Sequence, residues 1–326
     1  MKPRVLVSRE ISPEALARLK QHFVVDANQK DAPVSPAQLL RKLKGQEGLV
    51  SGPTEAINDE VLAKNPQLKI VCNVAVGYNN LDVAAGTKHG VMMTNTPGVL
   101  DDTTADLTWA LILAAARGVS HADSTVRAGR WKRWRVMEFL GQDIYGKTIG
   151  ICGFGRIGRG VARRAMGFGM KVLYASRSRA SESLEQELRA SYVDKQTLLR
   201  ESDVVTLHLP LFQETRHYIA AKELALMKKS AILVNASRGP IVDEKALVRA
   251  LKTRRIFAAG LDVYEKEPAL APGLAKLPNV VLTPHIGSGT VETRLKMSNM
   301  AVTNCIAGLT GQRPPNLLNP DVFTTT

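Results

Sequence analysis

Short apolar runs alternate with amphipathic stretches along most of the chain. "RVLVS" near the N-terminus reads as a strand, and "SPEALARLKQHF" as a helix opened by a Ser-Pro start signal. "GLVSG", "LKIVCNV" and "VMMTNTP" read as further strands. "TPGVLDDTTADLTWALILAAARG" begins with turn residues and continues as a long apolar helix. Beyond Trp131 and Trp134 a fresh set of units begins: "TIGICG", "RIGRGVARRAMGFG", "KVLYAS", "DVVTLHLP", "AILVNAS", "DEKALVRALKTR", "FAAGLDV" and "NVVLTPHI".

Strands alternating with helices imply a parallel sheet with right-handed crossovers. A strand apolar throughout, such as "AILVNA", suits a sheet covered on both faces. One sheet would need too many strands for this length. The pattern therefore predicts an α/β protein with two Rossmann-like, doubly wound parallel-sheet domains and an active-site cleft between them. Residues 100–285 form the nucleotide-binding domain in this reading. Residues 1–99 and 286–326 form a discontinuous substrate domain, the final helix "VETRLKMSNMAVTNCIAGLTG" returning to pack on the first part.

Composition narrows the class. The chain has 326 residues, 44% of them hydrophobic and 23% charged, so it can bury substantial cores; disorder is expected only at the "FTTT" tail. Cys72, Cys152 and Cys305 lie far apart in apolar runs with no CxxC pair. They read as buried reduced thiols of a cytoplasmic protein, with no metal site. The N-terminus lacks the apolar core of a signal peptide, and no apolar run approaches the roughly 20 residues of a membrane span. The net charge of +14 suits anionic partners. No zinc-finger spacing or aromatic-basic RNA motif accompanies it, so small anions are expected rather than nucleic acid.

"ICGFGRIGRG" supplies Gly153, Gly155 and Gly158 in GxGxxG spacing between an apolar strand and a helix. The first permits a tight turn, the second a close approach of backbone to a pyrophosphate, and the third close packing of helix on strand. The ribose-reading position falls about 20 residues on, at the end of "KVLYASRSR". A carboxylate there would accept a 2′-hydroxyl and repel a 2′-phosphate. Ser176, Arg177 and Arg179 instead offer a hydroxyl and two guanidinium groups, which match phosphate. NADPH or NADP is thus the expected cofactor, with NADH as a lesser one; the competing reading leaves both arginines in solvent. Leu209 and Pro210, after His208 in "TLHLP", would line the cofactor side.

Arg238 in "VNASRG", Glu267 in "LDVYEKEP" and His285 in "TPHIGS" each follow a strand of the nucleotide half. Ligands of open α/β sheets bind beyond the carboxyl ends of strands, so the three can converge. Here the chain resembles the D-isomer-specific 2-hydroxyacid dehydrogenases, within them the glyoxylate/hydroxypyruvate reductases and 2-ketogluconate reductases. The similarity covers essentially the whole chain through "NVAVGYNNLDV", "TPGVLDDTTAD", "GFGRIG", "VNASRG", "GLDVYEKEP" and "PHIGS".

The resemblance implies that Arg238 anchors a substrate carboxylate, that His285 is the acid/base, and that Glu267 is its partner. Histidine's unperturbed pKa of about 6.5 suits that role. Glu265 is nearby, but the family pattern puts the partner's role on the glutamate before proline. By the same resemblance the backbone N–H groups of Val76 and Gly77 bind the carboxylate, with Ser288 beside them. Thr104, Asp262 and Gly287 lie near the nicotinamide. Phe154, Arg156, Ile157, His208, Thr215, Ala236 and Ser237 complete the cofactor contacts. "GRWKRWRVMEF" follows the helix that forms the family's dimer arm, so a homodimer is expected. Trp134 would reach the partner's site or pack in the interface.

Some NADP-using relatives carry two arginines three apart after this strand; here they are two apart, which weakens the second contact. The spacer in "DVYEKEP" also varies. The expected reaction is NADPH-preferring reduction of glyoxylate, hydroxypyruvate or 2-ketogluconate to D-2-hydroxyacids. Formate dehydrogenase is disfavoured by Glu267, where that relative carries glutamine. A phosphoglycerate dehydrogenase and a nucleotide-sensing corepressor-like protein are the alternatives.

Overall fold

The structure is a computed structural model that describes residues 2–30 and 32–323. The end of the "FTTT" tail, Thr324–Thr326, lies outside the described residues. Two compact units divide the chain: Met1–Leu100 with Ser288–Thr326, and Asp101–Gly287.

The first unit carries β1 (Arg4–Val7), β2 (Val24–Ala27), β3 (Gly48–Ser51), β4 (Ile70–Asn73) and β5 (Met92–Thr94). They form one five-stranded sheet in the order β2-β1-β3-β4-β5, every pair parallel. That is the flavodoxin-type doubly wound order. Alternate residues of each strand enter different cores. Val5, Val7, Val50, Ile70 and Cys72 join one cluster; Leu6, Leu49, Val71 and Met93 join the other. Two-sided burial of this kind accounts for strands that are apolar at every position. The helix Val291–Leu309 packs on the helix Pro13–His22 and on β3, β4 and β5. Both helices begin as their sequences predict, Ser12 accepting from the Ala15 N–H and Thr290 from the Thr293 N–H.

The second unit carries β6 (Thr148–Cys152), β7 (Lys171–Ala175), β8 (Ala190–Tyr192), β9 (Val204–Leu207), β10 (Ile232–Asn235), β11 (Ala258–Leu261) and β12 (Val280–Leu282). The sheet order is β12-β11-β10-β9-β6-β7-β8. Numbered within the unit, this is the dinucleotide-fold order 3-2-1-4-5-6 with a seventh strand added at one edge. Order reverses between β6 and β9, which pair through Ile149–Cys152 and Val204–Leu207. The long apolar helix expected after "TPGVL" spans Asp101–Arg117. It buries Thr104, Ala105, Thr108, Trp109, Leu111, Ile112, Ala115 and Ala116, the face set by i, i+3, i+4 spacing.

Two strands escaped the pattern reading, β2 and β8. Both are sheet edges with little burial, and so carry little apolar signal.

Candidate active site

The glycine fingerprint sits at the switch point, immediately after β6. Gly153 has φ 95°, in the left-handed region, and a Cβ there would lie 2.5 Å from the His208 carbonyl oxygen. A Cβ on Gly158 would lie 2.2 Å from the Gly153 carbonyl. Both positions therefore require glycine. Gly155 caps the helix Arg156–Ala165 and makes no side-chain cap hydrogen bond. The first-turn N–H groups thus keep their affinity for an anion, which the dipole of a ten-residue helix reinforces. Arg156 is exposed and Ile157 half-buried at this end. The Phe154 side chain is turned inward, stacked on Tyr174 with ring centroids 4.0 Å apart.

After β7 the two arginines differ. Arg177 is exposed and has no side-chain partner among the described residues. Arg179 is held by Glu185, Nη2 to Oε2 at 2.8 Å and Nε to Oε1 at 3.0 Å. The Tyr174 hydroxyl donates to the same Glu185 Oε1 at 2.5 Å. Those bonds, Arg179 first and Tyr174 next, hold the Glu185 carboxyl below the usual carboxylate range. Ser176 Oγ donates to the Ser178 carbonyl at 2.5 Å, folding the turn that presents Arg177.

His208 follows β9. Its Nε2 meets Thr206 Oγ1 at 2.9 Å, while its Nδ1 is buried without a partner among the described residues. Burial pulls its pKa down to about 3, so the ring is neutral at working pH. Leu209 and Pro210 follow, half-buried and exposed. Thr215 Oγ1 closes the next turn by donating to the Pro210 carbonyl at 2.7 Å.

Arg238, Glu267 and His285 come together in this unit. Asn235 ends β10 and shapes the turn, its Nδ2 donating to the Arg238 carbonyl at 2.9 Å and its Oδ1 accepting from Ser237 Oγ at 2.8 Å. Ala236 is buried and Ser237 half-buried in that turn. Arg238 Nη1 donates to the Ser237 carbonyl at 2.7 Å. Burial lowers the Arg238 pKa and the Glu267 charge opposes that shift. Arginine stays protonated regardless. Gly239 lies so close to the Tyr264 carbonyl that a Cβ would fall 1.9 Å from it. The glycine of "SRG" thereby docks the Arg238 turn against the loop bearing Glu267.

Glu267 Oε2 meets His285 Nδ1 at 2.8 Å. Glu267 Oε1 accepts from the Tyr264 N–H at 3.0 Å. Burial alone would raise the Glu267 pKa, but the His285 hydrogen bond and charge, the Tyr264 N–H and Arg238 outweigh it and hold the carboxyl below its usual value. His285 itself adopts φ 55°, a conformation rare for a side-chain-bearing residue and often found at functional sites.

Asp262, 1% exposed, holds the His285 turn. Its Oδ1 accepts from Thr283 Oγ1 at 2.6 Å and the Ile286 N–H at 2.8 Å, and its Oδ2 from the Gly287 N–H at 2.8 Å. Burial raises its pKa against those donors. Buried Thr104 lies beside it, its Oγ1 3.7 Å from where a Cβ of Gly287 would stand.

In the other unit, Val76 and Gly77 follow β4. The carbonyl of Val76 accepts from Asn95 Nδ2 at 2.8 Å and that of Gly77 from Asn73 Nδ2 at 3.1 Å. Neither N–H has a partner among the described residues. Successive N–H groups left free in a turn make an anion-binding concavity. Asn73 and Asn95 escaped the motif reading; an asparagine at the end of a strand, where the type is depleted, was the available signal in each case. Ser288 is half-buried and its carbonyl accepts from the Thr290 N–H at 3.0 Å.

Trp134 lies in an irregular segment, 73% exposed, with Trp131, Val136, Met137, Leu140 and Tyr145 also exposed around it. Among the described residues, no helix is long and apolar enough to cross a membrane.

Residues 109–287 match the family model described as "D-isomer specific 2-hydroxyacid dehydrogenase, NAD binding domain". The chain belongs to that family. As such it is an NAD(P)-dependent dehydrogenase. It is 48% identical to a glyoxylate reductase of Thermococcus litoralis, over 100% of this chain and 99% of the relative. It is 50% identical to a glyoxylate reductase of Korarchaeum cryptofilum, over 99% and 97%. Among solved structures it resembles the NADPH-dependent glyoxylate/hydroxypyruvate reductase of Sinorhizobium meliloti in complex with NADP and malonate. That match has a TM-score of 0.89 and 30% identity, covering 100% of this chain and 99% of the other. The residues present fit the nicotinamide cofactor of this dehydrogenase family: the helix end at Gly155 lacks a side-chain cap, and glycine alone fits at Gly153 and Gly158.

Proposed function

We propose that this dehydrogenase is an NADPH-preferring reductase of small 2-oxoacids. Glyoxylate and hydroxypyruvate are the first candidate substrates and 2-ketogluconate the next, each giving a D-2-hydroxyacid. The observation that carries the reading is the 2.8 Å hydrogen bond from His285 Nδ1 to Glu267, with Arg238 near enough for its charge to act on Glu267.

The bound cofactor supplies hydride to C2 of the oxoacid. His285 supplies the proton. Because Nδ1 is engaged by Glu267, the proton available to the carbonyl oxygen is the one on Nε2. Glu267 fixes the plane and the tautomer of the ring through that hydrogen bond. His208, neutral with a pKa of about 3, cannot serve as the acid near neutral pH. Arg238 pairs with the substrate carboxylate as a two-point donor. The free N–H groups of Val76 and Gly77 are assigned to the carboxylate as well, making residues 1–99 and 286–326 the substrate-binding part, with Ser288 among its contacts. Arg177, with Ser176, is the reader of the 2′-phosphate.

The segment around Trp134 is read as the arm of a homodimer, since it leaves Trp131, Trp134, Val136, Met137 and Leu140 exposed within ten residues. The buried free thiols Cys72, Cys152 and Cys305 suit the reducing cytoplasm.

A panel of 2-oxoacids, including 3-phosphohydroxypyruvate, assayed with NADPH and with NADH tests the reading. The expected ranking places glyoxylate or hydroxypyruvate with NADPH first. Best turnover of the phosphorylated substrate with NADH would move the assignment to a phosphoglycerate dehydrogenase. Cofactor binding without turnover of any 2-oxoacid would favour a nucleotide sensor.

A further inference from the structure

Glu244 is a buried carboxylate, 4% exposed, that the reaction as described does not use. It opens the helix Glu244–Lys252, six residues after Arg238 in "RGPIVDE". Each of its oxygens accepts one backbone N–H, Oε1 from Glu265 at 2.6 Å and Oε2 from Ala271 at 3.1 Å. Those two donors bracket the loop that carries Glu267. No neighbouring cation pairs with Glu244 among the described residues. The charged groups that act on it are Glu265 and Glu267, both like charges, and Glu265 is itself bonded to His217. Burial raises its pKa against the two N–H donors. A buried carboxylate kept beside two others, with only backbone donors as partners, is costly and calls for a reason.

We infer that Glu244 is a positioning residue for the reaction: it clamps both ends of the Glu265–Ala271 loop to the segment that bears Arg238, and so sets the distance at which Glu267 meets His285. The inference rests on the proposed roles of Glu267 and His285. The mechanism is geometric. Oε1 and Oε2 are joined through one carbon, so the Glu265 and Ala271 N–H groups can only be met together while the loop stays folded back. Gly239, packed against Tyr264, forms the other contact between the same two segments. Arg238 and Glu267 are thereby held in register by one steric and one polar fastening.

Glu244→Gln keeps the volume but turns one acceptor into a donor facing an N–H. Glu244→Asp keeps the charge but is too short to meet both donors. Each variant is assayed as full-length enzyme beside Glu267→Gln and the double variant Glu244→Gln/Glu267→Gln, with cofactor affinity measured separately by fluorescence titration. Glu244→Gln should lower kcat by roughly tenfold to a hundredfold, the scale of a displaced catalytic group, with cofactor affinity unchanged. The KM of the oxoacid should change little, so that the loss lies in kcat, as in Glu267→Gln. Glu244→Asp should lower kcat by less, and it serves as the readout if Glu244→Gln does not fold. The double variant should be no slower than Glu267→Gln alone, because the two act through one contact. An unchanged kcat in the Glu244 variants, with a lowered kcat in Glu267→Gln, overturns this inference alone. So do multiplicative losses in the double variant. An unchanged kcat in Glu267→Gln overturns the pairing of Glu267 with His285, and the inference with it.

Discussion

Arg179 is bound at two points to Glu185, its Nη2 2.8 Å from one carboxylate oxygen and its Nε 3.0 Å from the other. Arg177, two residues earlier, is exposed with no side-chain partner among the described residues. The arginines of "SRSR" therefore divide the work: Arg177 is available to a 2′-phosphate, and Arg179 folds the loop against Glu185 and Tyr174. Arg177→Ala should raise the KM for NADPH about tenfold or more, since a charge-assisted hydrogen bond contributes roughly 1.5–3 kcal/mol. The KM for NADH should stay near wild type. Arg179→Ala should lower the Tm more than Arg177→Ala does, with a smaller effect on cofactor choice. Steady-state kinetics with both cofactors and thermal melts check the division; equal loss of NADPH affinity in the two variants would refute it.

The triad residues should separate kinetically. Removing an acid/base group costs about 10²–10⁴-fold in rate. His285→Ala should show that loss in kcat with NADPH affinity intact. Arg238→Ala should lower kcat and raise the KM of the oxoacid together, because the carboxylate is held in ground and transition states alike. Measuring kcat, KM and cofactor affinity for each variant decides the matter. A His285→Ala enzyme within a few-fold of wild type would remove His285 from the chemistry.

His208 makes stability depend on pH. Its folded pKa, about 3, lies below the ordinary histidine value of 6.5, because burial disfavours the charged ring. Between those values the unfolded chain binds more protons than the folded one, so stability is complete above about pH 6.5 and falls as pH drops toward 3. The slope is at most about 1.4 kcal/mol per pH unit from one such group. His208→Asn should flatten the fall of Tm between pH 6.5 and 4 while leaving the shape of the kcat profile near neutrality unchanged. An unaltered acid slope in the variant would show that His208 is not buried neutral.

Trp134 tests the exposed segment. Trp134→Ala should change the ranking of 2-oxoacids while NADPH affinity persists and gel filtration still gives a dimer. Loss of dimer and activity together would mean that the side chain serves interface packing instead.

The motifs were legible because each is dictated over a few residues. Gly153 needs a left-handed φ and space against the His208 carbonyl, and no other residue type meets both demands. Likewise the two-sided burial of β3, β4 and β10 is written in runs such as "GLVS" and "ILVN". That Arg238, Glu267 and His285 can converge was legible because each follows a strand, and parallel strands bring their carboxyl ends to one edge of the sheet; their roles came from the family resemblance.

The tertiary structure decided what depends on contacts between distant residues. Nothing in "SRSR" says that Glu185 takes one arginine and leaves the other, since the choice rests on where the following helix returns. The resemblance puts Asp262 near the nicotinamide, and only the fold shows that its carboxylate also accepts from Thr283, Ile286 and Gly287, more than twenty residues on. Glu244 reads as an ordinary acidic start to a helix, and only the fold puts the Glu265 and Ala271 N–H groups on its two oxygens. The physical reason is the same in each case. Backbone conformation and strand burial are local preferences that a short segment expresses by itself. Which charge is neutralised, and by what, is set by long-range packing that no short stretch of chain contains.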